Sequence, residues 1–423
     1  MGDPLVNRLT KTVALVVALG VVAGACSGDD EETAPSEETA PSGGETSEQP
    51  DGGGSSDGGD PYVIGYGVDI TGQYAQQGEG LRAGVESYVD ALNAAGGING
   101  RELELVLLDD ASAPDRAVAN VSTMLDRGAL GIGGFVLSNV CGAVAAELER
   151  REVPLVCNSA GDDLILPTQP FVYTARALTP HQAQPAIEFA SSLVDDDARI
   201  AFINLGSAAI QGYVANAKEL AEEKGWEIVA HEEAPVTSPD VTALVAKVVA
   251  AEPDVIIGGL TDAAAVATLR ALVAQDASDI PLINYDGGSS ASTLEAGATE
   301  NFYVLRNFAF ATEDAAAEHS GVQKFIDDVE AAGHDPAGVF VVNGYLQGML
   351  WAKALEVCAD PCTSVALQAS LDNLAVDTDG LTSGPMTYGP DRHEAFDTYD
   401  LYHWDTDAGA PVLAAAGLPA GTS

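Results

Sequence analysis

The sequence predicts an α/β protein of two lobes, each a mostly parallel sheet covered by helices on both faces, and three observations carry that prediction. From Tyr62 onward, short continuous apolar runs alternate with longer stretches whose apolar residues recur at helical spacing. Such strands are buried on both faces, which is how parallel sheets under helices read. The alternation breaks near Thr174 to His181 and then restarts. The roughly 360 residues from Tyr62 to the end exceed what one core of this kind accommodates.

The elements follow in order. Tyr62 to Asp69 reads as a strand, and 78–95 as a helix with Leu81, Val85, Tyr88, Val89 and Leu92 on one stripe. Ala95-Gly96-Gly97-Ile98-Asn99-Gly100 stops that helix and turns tightly, using glycine's access to positive φ. A strand at 103–108, a helix at 114–127, a strand at 130–135, a helix from Asn139 and a strand at 153–156 complete the first run. The second run has strands at 199–204, 227–231, 254–258 and 280–284. Helices at 210–224, 239–251 and 262–275 separate them, and 239–251 carries Val241, Leu244, Val245, Val248 and Val249 at helical spacing.

Open parallel sheets bind ligands beyond the carboxyl ends of their strands. The turns there are Asp69 to Gly78, Val136 to Asn139, Asn158 to Asp163, Gly206 to Gly212, Thr261, and Asp286 to Ser289.

The N-terminus concerns export. Arg8 and Lys11 precede an apolar run from Val13 to Val22, then Ala23-Gly24-Ala25 and Cys26. Spanning a bilayer takes about 20 apolar residues, so residues 1–25 read as a secretory signal with a cleavage site behind it. A cysteine at that place resembles the lipobox of bacterial lipoproteins, which implies lipidation of Cys26 and anchoring on the outer face of the cell membrane. Ala23 stands where that motif usually has Leu, and a soluble secreted protein is the other reading. Residues 27–61 hold 11 acidic residues, no basic one and nothing apolar larger than Ala or Pro. They cannot bury a core and read as a self-repelling tether.

The formal charge is −46, from 18 Lys and Arg against 64 Asp and Glu. Binding nucleic acid needs a basic face, and none can be assembled from these cations. Beyond Cys26, Cys358 and Cys362 lie close enough to bridge, and Cys141 follows one strand while Cys157 ends the next. In an oxidising compartment two disulfides account for the four. Zinc is the rival, with the six histidines near neither pair. No metal or other cofactor is expected.

Gly65 to Gly72, Gln73 to Gly80, Asn93 to Arg101, Asp109-Asp110, Asp115 with Ala117-Val118, and Gly134 through Ser138 to Ala143 form an ordered series. The series resembles the branched-chain amino acid binding family of periplasmic binding proteins, over residues 62 to about 405. The resemblance implies a Venus-flytrap fold of the type I kind, in which two lobes joined by three hinge crossovers close over a solute. By analogy lobe 1 is 62–177 with 306–380, lobe 2 is 178–305 with 381–408, and 409–423 is a C-terminal tail. It also implies a monomer that delivers its ligand to ABC permease subunits in the membrane.

In the family, a serine and a Ser/Ala-x-Thr turn hold the ligand's α-carboxylate, and the matching positions here are Ser138 and Ser159-Ala160-Gly161. Hydroxyls and free N–H groups at helix N-termini suit an anion, while Ser138 could equally serve as an N-cap. Gly161 lacks the usual threonine hydroxyl. Asp286 matches the acid that pairs with a ligand ammonium, and Phe340 matches an aromatic wall, although an aromatic in an apolar helix is core as often. Gln77 stands where the family often has an aromatic, Gln211 replaces a Tyr, and Thr261 or Leu260 replaces another. A pocket for Leu or Val should be lined with apolar groups, so these exchanges predict a more polar solute such as a polar amino acid, an amide or a urea-like compound.

An enzyme is the rival class. A dinucleotide fold needs Gly-x-Gly-x-x-Gly after the first strand. Here Gly65-Tyr66-Gly67 is followed by Ile70, and Gly78-Glu79-Gly80 meets its third glycine late, at Gly84. Gly287-Gly288-Ser289-Ser290-Ala291 fails the Gly-x-Ser-x-Gly elbow at its last position. Binding without chemistry is the expectation. A sensor of the same fold, docking on a membrane signalling partner, is the alternative.

Overall fold

The computed structural model describes residues 59–235, 241–297, 300–338 and 340–421. The signal segment, Cys26 and all but the last residues of the tether lie outside the described residues. The first run of elements is β1 (Tyr62–Val68), α1 (Ala75–Ala94), β2 (Leu103–Asp109), α2 (Pro114–Asp126), β3 (Gly131–Gly134), α3 (Ser138–Arg150), β4 (Leu155–Cys157) and β5 (Val172–Thr174). After a 3-10 turn at Thr179–Gln182 come α4 (Ala183–Ala190), β6 (Arg199–Leu205), α5 (Ala208–Glu223), β7 (Glu227–Ala234), α6 (Thr242–Ala250), β8 (Val255–Gly259), α7 (Asp262–Val273) and β9 (Leu282–Asn284). A second 3-10 turn, Asp286–Gly288, leads to α8 (Ala291–Gly297) and β10 (Phe302–Arg306). The chain continues as α9 (Glu313–Glu318), α10 (Ser320–Ala331), α11 (Val341–Glu356), α12 (Ser364–Leu371), β11 (Ala375–Val376), β12 (Met386–Thr387), β13 (Thr398–Asp405) and β14 (Ala410–Pro419).

Two sheets organise these elements. The first is parallel throughout, in the order β2-β1-β3-β4-β5. The second has the order β14-β13-β10-β9-β8-β6-β7, parallel from β7 to β10 and antiparallel at β13 and β14. Read from β7 across β6 to β10, it repeats the order of the first sheet. Each reverses direction beside its first strand, and that switch point is where an open α/β sheet leaves a crevice at its strand ends.

The cores follow from the apolar strands. Ile132, Leu155, Val121, Met124, Val144 and Leu148 are fully buried between the first sheet and its helices α2 and α3. In the second sheet Ile200, Phe202, Ile256 and Ile257 are buried to within 1%, each worth about 1.5–3 kcal/mol relative to exposure. The last helices return to the first lobe, where α11 lies along α1 and touches β3. The two helices approach closely because Gly84 and Gly344 face each other's partner backbone. A Cβ on Gly84 would stand 1.9 Å from the Val341 carbonyl oxygen, and one on Gly344 would stand 2.0 Å from that of Leu81.

The chain passes between the sheets after β5, after β10 and before β13. These crossovers pair with one another through isolated bridges, Thr174 with Glu394 and Phe308 with Thr382. The Thr174 N–H donates to the His393 carbonyl at 2.9 Å.

Two local expectations need correction. Residues 410–419 are no tail: they form β14, the edge strand that pairs along β13 and packs against α4 and α8. Phe340 lies outside the helix, as the N-cap residue of α11 with φ of 63°. Disulfides join Cys141 to Cys157 and Cys358 to Cys362, with Cα separations of 6.2 and 5.6 Å. Among the described residues no group of three His, Cys, Asp or Glu is placed to hold a metal, and no helix is long and apolar enough to cross a membrane.

Candidate functional site

The first-lobe half of the site is built at the exits of β3 and β4. Gly134 and Phe135 both take positive φ, 93° and 59°, which turns the chain sharply into α3. This conformation is costly for an aromatic residue, and burial of the whole Phe135 ring over Gly67 holds it in place. The turn delivers Ser138 to the first residue of α3. Ser138 does not cap the helix: Leu137 holds the N-cap position and makes no side-chain cap bond. The exposed Ser138 hydroxyl instead meets the Ser159 hydroxyl at 2.8 Å.

Ser159 is 1% exposed and also accepts from the Gly161 N–H at 3.3 Å. A Cβ at Gly161 would stand 3.8 Å from both serine hydroxyls and 3.0 Å from a carboxylate oxygen of Asp163, so the place of the missing side chain is bordered by that acid as well as by the serines. The disulfide Cys141–Cys157 ties the two serine-bearing turns together from behind. Gln347 of α11, fully buried, accepts from the Gly134 N–H at 3.0 Å and the Tyr66 hydroxyl at 2.9 Å, and reaches Asn158 at 3.4 Å. One amide therefore fixes the ends of β1, β3 and β4.

A hydrogen-bonded chain leads from here to the second lobe. The buried Thr174 hydroxyl donates to the Ser159 carbonyl at 2.5 Å and accepts the Arg176 N–H at 3.1 Å. The Arg176 guanidinium, on the first crossover, donates to Asp286 at 3.2 Å and lies 5.1 Å from the centre of the Phe340 ring. Gln182 completes the frame, donating to the other Asp286 oxygen at 2.9 Å while accepting the Asp286 N–H at 2.9 Å. Asp286 opens the 3-10 turn after β9, with its side chain 8% exposed.

Beside it stand Tyr285 and the fully buried Tyr213, with ring centres 5.9 Å apart. Burial, then Tyr285 and Asp286, push the Tyr213 hydroxyl well above its ordinary pKa, and it has no hydrogen-bond partner among the described residues.

Of the residues expected to line a cleft, Ser138, Ser159, Gly161, Asp286 and Phe340 belong to this connected set, and Ala160 lies within its turn. Gln77, Gln211 and Thr261 do not join it. Gln77 is half-buried in the first turn of α1. Gln211 is exposed and donates to Glu233 at 3.1 Å. Thr261 is exposed at the N-cap of α7 without a capping bond. All three sit after carboxyl ends of strands, at β1, β6 and β8.

Sequence reasoning missed Arg176, Gln182 and Tyr213. The signal for Arg176 was a cation inside the otherwise small and apolar Ala175 to Leu178 stretch, which it passed over as a plain connection. A groove of about 570 Å3 along α9 and α10, lined by Glu318, Gln323, Lys324 and Asp327 among others, has no such convergence of donors.

The periplasmic binding protein family matches residues 61–410. The leucine-, isoleucine-, valine-, threonine- and alanine-binding protein of Pseudomonas aeruginosa is 25% identical over 354 residues, covering 82% of this chain and 91% of its own. Among solved structures, a fatty acid ABC transporter substrate-binding protein from Thermomonospora curvata has a TM-score of 0.68 at 20% identity, over 85% of this chain and 92% of that one. An ABC transporter solute-binding protein from R. palustris, in complex with benzoate, has a TM-score of 0.66 at 20% identity, over 86% and 98%. At these identities the structural likeness shows the fold, a two-lobed type I periplasmic binding protein.

Proposed function

The chain belongs to the periplasmic binding protein family, and from that premise we propose that it is the extracytoplasmic solute-binding lipoprotein of an ABC importer. In this reading it captures an amino acid or a related small polar or amide compound between its lobes and catalyses nothing. Lobe 1 comprises 62–177 and 306–380, and lobe 2 comprises 178–305 with the strands that follow 381. Cys26 carries the lipid anchor and the acidic segment to residue 61 is the tether. The protein acts as a monomer, and permease subunits in the membrane read its closed form.

The observation that carries this reading is the continuous polar path from the Ser138–Ser159 hydroxyl pair through Thr174 and Arg176 to Asp286, which joins the two lobes at the crossovers. Ser138, Ser159, Ala160 and Gly161 offer hydroxyl and N–H donors to a carboxylate or amide. Phe340 forms a wall, and Asp286 enters from the second lobe, held by Arg176 on the first crossover and by Gln182. Gln77, Gln211 and Thr261 stand at neighbouring strand ends, where closure brings polar groups towards the solute. Amino acids, a fatty acid and benzoate, named for the relatives, share a carboxylate, and this supports an anion-binding first lobe. A ligand that prefers the closed arrangement raises its population by the difference in affinity.

A thermal-shift screen against amino acids, amides, carboxylates, polyamines and sugars tests the reading. A ligand at 100 times its Kd stabilises the folded state by about 2.7 kcal/mol, so a solute of the proposed class should raise the unfolding midpoint by several degrees. A screen in which no small solute shifts the midpoint contradicts it.

A further inference from the structure

Resting on the solute-binding reading, we infer that the solute is a carboxylate without an ammonium group, and that Arg176 sets this preference. The inference comes from counting donors and acceptors around the site. An ammonium carries three donors and no acceptor, so it needs free acceptors, and a carboxylate needs the reverse. Asp286, the acid matched to a ligand ammonium, is engaged at both oxygens, and two nearby carbonyls each hold one donor already. The Ser159 carbonyl accepts from the Thr174 hydroxyl at 2.5 Å, and the Ala160 carbonyl accepts from the Thr179 N–H at 2.9 Å. One oxygen of Asp286 accepts from Gln182 at 2.9 Å and the other from Arg176 at 3.2 Å. Gly161 supplies no hydroxyl.

The donors, in contrast, are in surplus. A guanidinium has five N–H groups, and Asp286 engages Arg176 through Nη2 alone. The Ser138 and Ser159 hydroxyls share one hydrogen bond and so keep one O–H between them, and the Tyr213 hydroxyl, buried beside Tyr285, has no partner among the described residues. The charges agree with this count. Arg176 neutralises Asp286, so the second-lobe carboxylate no longer presents net negative charge to a cation. The flat guanidinium beside the Phe340 ring suits bidentate recognition of a planar carboxylate. Asp286 and Gln182 are then positioning residues, since they hold Arg176 in place rather than meet an ammonium.

The test is titration calorimetry of the purified chain with amino acids and their des-amino counterparts. Suitable pairs are phenylalanine with 3-phenylpropanoate, leucine with 4-methylpentanoate, glutamate with glutarate, and glutamine with glutaramate. At least one des-amino acid should bind about tenfold or more tighter than its amino acid. Arg176→Met should erase that preference, because it removes the cation and frees Asp286, whereas a merely structural role would weaken both members of a pair alike. Should Arg176→Met fail to fold, Asp286→Asn serves, since leaving Arg176 unneutralised should widen the preference.

An amino acid binding as tightly as its des-amino partner overturns the inference and leaves the importer reading standing. So does binding of only a sugar or polyamine, or a narrowed preference in Asp286→Asn. If no small solute binds saturably, the importer reading fails and the inference falls with it.

Discussion

Asp110 follows β2 with its carboxyl group almost wholly shut off from water. It is 1% exposed, one oxygen accepts from the Ser112 N–H at 2.8 Å, and the other has no partner among the described residues. Burial, with the neighbouring charges of Asp69 and Asp109, pushes its pKa up to about 6 against the pull of the Ser112 bond and Arg116. An unfolded Asp titrates near 3.9, so between about pH 4 and pH 6 the folded state binds the extra proton. Stability is therefore greatest at the acid end of that window and falls as pH rises through it. Asp110→Asn should raise the unfolding midpoint at pH 7 by about 2–4 °C and flatten its pH dependence between about 4 and 6. A midpoint that stays put at pH 7 with the slope intact would show that Asp110 is not the group responsible.

The same scale decides what could be read in advance. Ser138 and Asp286 could be singled out from the sequence because they match family positions in turns that follow apolar strands. The partners of Asp286 could not, because Arg176 and Gln182 lie 110 and 104 residues away in the chain. Only the fold brings them together, and with them the reading of Asp286 changes from a free carboxylate to a paired one.

Among the elements, α1 and α11 show how close packing depends on missing side chains. Gly84→Ala puts a methyl group 1.9 Å from the Val341 carbonyl oxygen and 2.6 Å from the Tyr345 nitrogen. Both are backbone atoms of α11 that can give way only if the helices part. Overpacking of this sort costs about 1–3 kcal/mol. Gly142, exposed in α3 with nothing within 4 Å of an added Cβ, is the control, and its alanine variant should gain about 0.5–1 kcal/mol from helix propensity. Chemical denaturation of the two variants should therefore shift in opposite directions, and parallel shifts would contradict this account of the interface.

The first-lobe strands and helices were readable to within a few residues, since continuous apolar runs and helical stripes leave little freedom. β14 was not, because Ala410 to Pro419 is rich in small residues and only partly buried, so it has the composition of a tail. Its strand character comes from pairing with β13. Phe340 was misplaced for a related reason: its apolar neighbours continue the helical pattern, while its positive φ is visible only in the backbone.

At the scale of the whole molecule, the repeated strand order gives each lobe one crevice, and the paired crossovers link the two. The two lobes were legible from the rhythm of the sequence and its interruption near Thr174, while the crossovers came only with the family resemblance. What the rhythm could not carry was the chemistry of the link, because the Thr174–Glu394 and Phe308–Thr382 bridges join segments with unremarkable local sequence. In the proposed function, this link and the serine pair beside it hold one small solute per chain. Titration calorimetry of the tightest solute from the screen, with the wild-type chain and with the Ser138→Ala/Ser159→Ala double variant, tests it most directly. Hydrogen bonds to a charged group contribute about 1.5–3 kcal/mol each, so the prediction is one site per chain and a loss of about 100-fold or more in the double variant. An unchanged affinity in a folded double variant, or binding without a defined stoichiometry, would contradict it.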